Sequence, residues 1–288
     1  MPVEGLIPEK IFTLVAAATI FTVMFDLGMQ IVPGEHDWTQ RRIRVLLKAL
    51  FAVLVAVPAI AIVAAQALDL ERHVEIGIVL MALSPGAPVA LRRSLDAGAQ
   101  ASFAPALQIA VAALAVVSMP LFIAGLAEYY GSPASISPGD LGRQVFLAQL
   151  LPLALGMLVR RLLPGHGARI GPRLSRVAQF LLVFLMVLAI VNVGPVALQA
   201  GWRVGAGIAA VTVLALAVGH ALGGPDPETR TAVAIASALR NPGLALVVAT
   251  VNNAHPAVMR TVLAYLVIAA LTVLPYVFWR RRAAARPG

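Results

Sequence analysis

The sequence predicts an all-α integral membrane protein with nine transmembrane helices. Three observations predict it. Of 288 residues, 60% are hydrophobic and only 12% charged, about half the charge of an ordinary soluble domain. The apolar residues fall into nine long runs, and a helix needs about 20 such residues to cross the hydrocarbon. The basic residues between the runs fall mostly on one side.

The runs are 11–32, 46–68, 76–91, 101–127, 145–163, 176–199, 203–222, 231–251 and 259–279. Lipid offers no water to unpaired backbone groups, so runs of this length must be helical. The alternation of a membrane barrel is missing. The first run is read as a span and not as a cleaved leader, because Asp26 interrupts it and the basic cluster comes after it. Short loops leave no room for a soluble domain, so residues 1–288 read as a single transmembrane domain.

Orientation comes from the charges. One side holds Arg41, Arg42, Arg44, Lys48, Arg92, Arg93, Arg160, Arg161, Arg169, Arg173, Arg176, Arg230, Arg280, Arg281, Arg282 and Arg286, which is 16 of the 22 basic residues. The other side holds Lys10, Arg72, Arg143, Arg203 and Arg260. The N-terminus is therefore expected outside and the C-terminus in the cytoplasm, in a plasma or inner membrane. The net charge of +9 then belongs to cytoplasmic loops, and nucleic acid is not an expected partner. Trp38, Trp202 and Trp279 sit at or near span ends, as interfacial anchors do.

No Cys is present, which excludes disulfides and thiolate metal sites. His36, His73, His166 and His255 fall in expected loops and His220 at a span end, with no metal-binding spacing. No phosphate-binding Gly-rich loop occurs, and no cofactor is expected.

Two spans are unusual. The third contains Ser84-Pro85-Gly86 and Pro88, and the eighth contains Arg240-Asn241-Pro242-Gly243. Pro removes a backbone donor and crowds the preceding turn, and Gly beside it permits conformations a helix refuses. Both spans are expected to break near mid-membrane. They run in opposite directions, and each precedes one long apolar span. Two broken helices at matching places of inverted halves point to a transporter's binding site. Half-helix N-termini expose N–H groups and a positive dipole end, which suits an anion.

At these residues the sequence resembles the bile acid:sodium symporter family. Leu83-Ser84-Pro85-Gly86-Ala87-Pro88 in the third span is similar to that family's first break. Asp96-Ala97-Gly98-Ala99-Gln100-Ala101-Ser102 is similar to the family's next conserved stretch. Ala236-Ser237-Ala238-Leu239-Arg240-Asn241-Pro242-Gly243-Leu244-Ala245 resembles its second break, and Met24-Phe25-Asp26-Leu27-Gly28-Met29 resembles a motif of its panel. The resemblance implies a core of 46–68, 76–127, 203–222 and 231–279, in which the broken helices cross. It implies a panel of 11–32, 145–163 and 176–199, with substrate held between the two and alternating access from their relative motion. The family's sodium ligands fall on Ala90, Leu91, positions near Leu107 and Val111, Ala236 and Arg240, so the usual sodium coupling is not expected.

Only Arg240 and Asp26 are charged well inside a span, where a charge costs about 2.5–3.5 kcal/mol on insertion scales. Arg240 has two readings, a built-in cation that joins the breaks or grips an anion, and a structural plug on freed carbonyls. Asp26 is read as a partner of Arg240 across the cleft, as a proton carrier, or as a hydrated group near the interface. Asn241 matches a family Asn that contacts substrate, and helix capping is its other reading. Ser84 stands in the equivalent place, and Pro88 replaces a family Thr. Gln108 faces either a helix seam or the cavity. The expected substrate-binding set is Ser84, Pro85, Gly86, Pro88, Arg240, Asn241, Pro242 and Gly243, with Asp26, Arg240 and Gln108 in coupling or gating. The expected function is secondary transport of a small organic anion. The alternatives are a sodium symporter with rearranged ion sites, a non-transporting binding or sensor protein, and an intramembrane enzyme. The last lacks a visible nucleophile–base pair.

Overall fold

A computed structural model describes residues 9–30, 40–129, 137–199 and 202–285. His36, Trp38, Arg286 and most of the loop after Tyr129 lie outside the described residues. Among the described residues the chain is all helical: α1 (Glu9–Gln30), α2 (Gln40–Phe51), α3 (Val57–Ala67), α4 (Arg72–Ala82), α5 (Pro88–Asp96), α6 (Phe103–Tyr129), α7 (Pro138–Val145), α8 (Leu151–Leu162), α9 (Pro164–Gln199), α10 (Trp202–Leu222), α11 (Pro227–Ala238), α12 (Pro242–Val251) and α13 (Pro256–Ala284).

Each of the nine expected runs is built mostly of helix. Six segments are long and apolar enough to cross a membrane by length and composition: Ile43–Ala67, Phe103–Gly125, Gly139–Leu162, Trp202–Leu222, Pro227–Val251 and Pro256–Ala284. The chain is thus a multi-pass membrane protein. The expected third span is two short helices, α4 and α5, of 11 and 9 residues.

Two of the long segments contain a widened π turn, Ala52–Ala56 between α2 and α3 and Phe146–Leu150 between α7 and α8. Both precede a proline by two residues, Pro58 and Pro152. A proline ring collides with the carbonyl four residues back and donates nothing to it. The wider turn lets the chain pass, and Val57 N–H reaches back to Ala52 O and Leu151 N–H to Phe146 O. Helix continuity survives because the mismatch is absorbed in one turn.

α1 lies along α8 and α9. The approach is closest at Gly28 and Gly156. A Cβ on Gly28 would strike Leu153 O and come within 2.9 Å of Met157 N; one on Gly156 would strike Phe25 O and come within 2.9 Å of Met29 N. Small residues that let two backbones touch are the usual means of helix association in lipid, where no hydrophobic drive exists between helices. Elsewhere α10 packs on α11, α13 and α3, α13 also packs on α4 and α9, and α5 packs on α11 and α6.

Some polar residues depart from the expected positions. Arg280, counted in the basic terminal flank, is buried at 8% exposure and donates to Thr231 Oγ1 at 2.7 Å and Pro227 O at 2.9 Å, which seats the end of α13 on the start of α11. Arg281 donates to Asp96 O at 2.9 Å and ties α13 to α5. His73 is the second residue of α4 and not a loop residue, because the helix begins at Arg72, and its ring stacks on His255 at 4.0 Å.

Candidate functional site

The first break arises from local chemistry. α4 ends at Ala82, the chain leaves helical geometry through Ser84–Ala87, and α5 restarts with Pro88 in its first turn, where a missing N–H costs nothing. Gly86 has φ +80°, a conformation a side chain would resist. The second break is shorter. α11 ends at Ala238, Leu239 and Asn241 are extended, and α12 starts at Pro242 with the Asn241 side chain accepting Leu244 N–H at 3.1 Å. Asn241 is thus an N-cap, the other of its two expected readings.

The two breaks meet. Asn241 N–H donates to Ser84 O at 2.8 Å. The Arg240 guanidinium donates to Ala82 O, and longer contacts of 3.5 Å reach Met81 O and Ser237 O. Gln108 Nε2 donates to Gly86 O at 2.8 Å and Gln149 Nε2 to Pro85 O at 3.2 Å. The carbonyls freed at Ala82, Ser84, Pro85 and Gly86 therefore each have a donor from another element. Non-helical backbone survives at membrane depth only on such terms.

Gln108 belongs to the seam of the first break. Gln149 sits on the π turn before α8 and is wholly buried. Sequence reasoning passed over Gln149, although it carries the same signal as Gln108, a lone amide in an apolar run. Ser84 turns its hydroxyl back to Leu80 O at 2.7 Å. Replacing Gln108 with Leu is expected to cost about 1–3 kcal/mol, because Gly86 O loses its donor in a buried place. A lowered melting midpoint of the purified protein checks this.

A cleft opens beside the second break. It has about 730 Å³ of empty space, counting the open space at its mouth. Ile20 and Val23 of α1 and Leu182 and Leu185 of α9 form one wall, facing Arg240 and Asn241. Pro242 and Gly243 also border it, and Tyr265 of α13 closes the side. Ser84, Pro85 and Gly86 are not among its lining residues; their carbonyls meet donors in the seam beside Arg240. Nothing in the sequence singled out the α9 leucines, which look like any lipid-facing pair.

Arg240 is 3% exposed, and its described partners are three carbonyls and no carboxylate. Asn241 Nδ2 is buried without a hydrogen-bond partner, as is Gln149 Oε1. Asp26 is 4% exposed rather than hydrated, because α8 and α9 cover its helix. Its carboxylate accepts from Gln30 Nε2 and Ser175 Oγ, each at 2.7 Å. Those partners, and not Arg240, hold it.

A model of the sodium bile acid symporter family matches residues 17–199. The chain belongs to that family. No curated protein matches it. Sodium bile acid symporter family members are solute transporters, and that broad class holds for this chain. The match contains the first break and both glutamines of its seam, and the second break lies beyond it. Of the positions expected to carry the family's ion ligands, Ala90, Leu91, Leu107 and Val111 are apolar and buried, and Arg240 is a buried cation.

Proposed function

We propose that this protein is a secondary transporter that moves a small organic anion by alternating access, and that Arg240 stands in for a bound sodium ion. Arg240 carries the reading. It is a buried cation on the cleft wall, joined to the opposite break through carbonyl dipoles and lacking a described carboxylate partner. A buried charge left without a counter-charge is costly, and an arriving anion would supply one. Asn241 Nδ2 offers a further unused donor beside it, and the start of α12 adds its positive dipole end. The apolar remainder of the cleft suits an organic body.

On this reading the chain has nine spans with the N-terminus outside, and lies in the plasma or inner membrane. Its panel is α1, the α7–α8 segment and α9, and its core is α2–α6 and α10–α13, with α4–α5 and α11–α12 as inverted broken helices. The anion binds between panel and core. Buried apolar side chains at Ala90, Leu91, Leu107 and Val111 offer sodium no oxygen ligands, and Arg240 repels it.

The test compares melting of the purified protein in sodium and in potassium with a panel of organic anions, and then measures uptake into liposomes. A ligand at 100 times its Kd stabilises the folded state by about 2.7 kcal/mol. Equal stabilisation by an anion in both salts, with flux of that anion, is the expected result. Stabilisation that requires sodium would sink the fixed-cation reading, and binding without flux would leave a receptor in place of a transporter.

A further inference from the structure

We propose that Arg92 is a latch that closes the basic end of the cleft by joining half-helix α5 to α9 and α1. This rests on the transport reading. Three helices put apolar residues on the cleft wall, among them Val23 on α1, Val89 on α5 and Leu182 on α9. Three residues further toward the basic side, each helix carries a polar residue on the same face: Asp26, Arg92 and Gln179. α1 and α5 reach these residues going forward and α9 going backward, as antiparallel neighbours must.

The three polar residues form one cluster. The Arg92 guanidinium lies against the Gln179 side-chain amide, whose oxygen faces it in the orientation that satisfies both groups. The same guanidinium acts through space on the Asp26 carboxylate. Ser175, one turn from Gln179 on α9, holds Asp26 directly at 2.7 Å, and Gln30 holds the other oxygen. The cluster therefore lies directly below the cleft wall, across the gap between α5 and the α1–α9 pair.

Its chemistry suits a contact that opens repeatedly. Asp26 keeps two neutral donors, both from its own side of the gap, when Arg92 leaves. No buried carboxylate is orphaned by opening, whereas parting a direct buried ion pair would strand one. Arg92 is exposed, at the middle of the nine-residue α5, so its guanidinium passes to water or headgroups. The latch is held by a charge–amide contact and a through-space attraction, both weak enough to reverse.

The chain has no cysteine, so one introduced thiol reports alone. Thr19→Cys puts it on the cleft wall. In vesicles exposing the basic face, a membrane-impermeant maleimide is expected to label this thiol several-fold faster when Arg92→Gln or Gln179→Leu is added. Adding both is expected to give no further gain, because they break one contact. Arg93→Gln, an adjacent exposed charge, is expected to leave the rate unchanged. Melting midpoints should stay near the parent's in all three, which a merely structural contact would not allow. Unchanged labelling in the Arg92 and Gln179 variants, or an equal rise with Arg93→Gln, overturns the latch. If those variants fail to accumulate, an Arg92→Cys/Gln179→Cys pair is expected to cross-link under mild oxidation, and failure to do so overturns it equally. Labelling needs no substrate. Faster labelling with no anion flux would sink the transport reading alone, and flux with unchanged labelling would sink the latch alone.

Discussion

Arg240→Gln is expected to abolish the stabilisation given by organic anions and to lower their flux at least about tenfold, which corresponds to about 1.4 kcal/mol. The loss of the charge acts twice. A carboxylate in the cleft loses a charged donor, and hydrogen bonds to charged groups are worth about 1.5–3 kcal/mol each. The carbonyls of Met81 and Ala82 lose the guanidinium that spans the two breaks, and the shorter amide does not reach across. Some loss of stability without ligand is therefore expected as well. Arg240→Lys separates the two effects. It keeps the charge but offers no planar fork, so anion-dependent stabilisation should persist in weakened form while the seam loosens. If Arg240→Gln melts and transports like the parent, neither reading of this residue survives.

Gly28→Leu is expected to prevent accumulation of folded protein. The first added carbon would meet backbone atoms of α8, namely Leu153 O and Met157 N, and backbone cannot rotate aside as a side chain does. Overpacking a well-filled interface costs about 1–3 kcal/mol and sometimes more, and the rest of a leucine has nowhere to go. Gly156→Leu meets the reciprocal atoms on α1 and should fail the same way. Gly125→Leu is the control, since nothing lies within 4 Å of the atom it adds. Yield of monodisperse protein after extraction is the measurement, and normal yield of the Gly28 variant would show that α1 and α8 can part without harm.

The sequence made the helices legible because lipid imposes a long, simple pattern on them. It also located both breaks, since Pro and Gly leave few alternatives in an apolar run. The pairing of the breaks was less legible. The charge of Arg240 marked it as exceptional, but which carbonyls it meets depends on two segments more than 150 residues apart. Gln149 escaped notice for a related reason. Its inward direction depends on a π turn that shifts the face of the helix just before Pro152, and helical periodicity assumes no such shift. The contact of Gly28 with Gly156 left no trace in hydropathy, because a missing side chain has none. Of the three readings of Asp26 the hydrated one gives way to burial, which was hard to foresee because its neutral partners, Gln30 and Ser175, look ordinary alone.

Arg240 is bonded into the chain, so on the proposed function it would stay behind when the anion departs. A sodium symporter carries its cations along and can cancel or reverse the charge of its cargo. This protein would carry a monoanion uncompensated, moving one net charge per cycle. At an inside-negative potential of 100 mV that charge is worth about 2.3 kcal/mol, directed outward. Without another coupled ion, the resting membrane would drive such a cargo from the cell, and net uptake would need an opposing gradient of the anion of nearly fiftyfold.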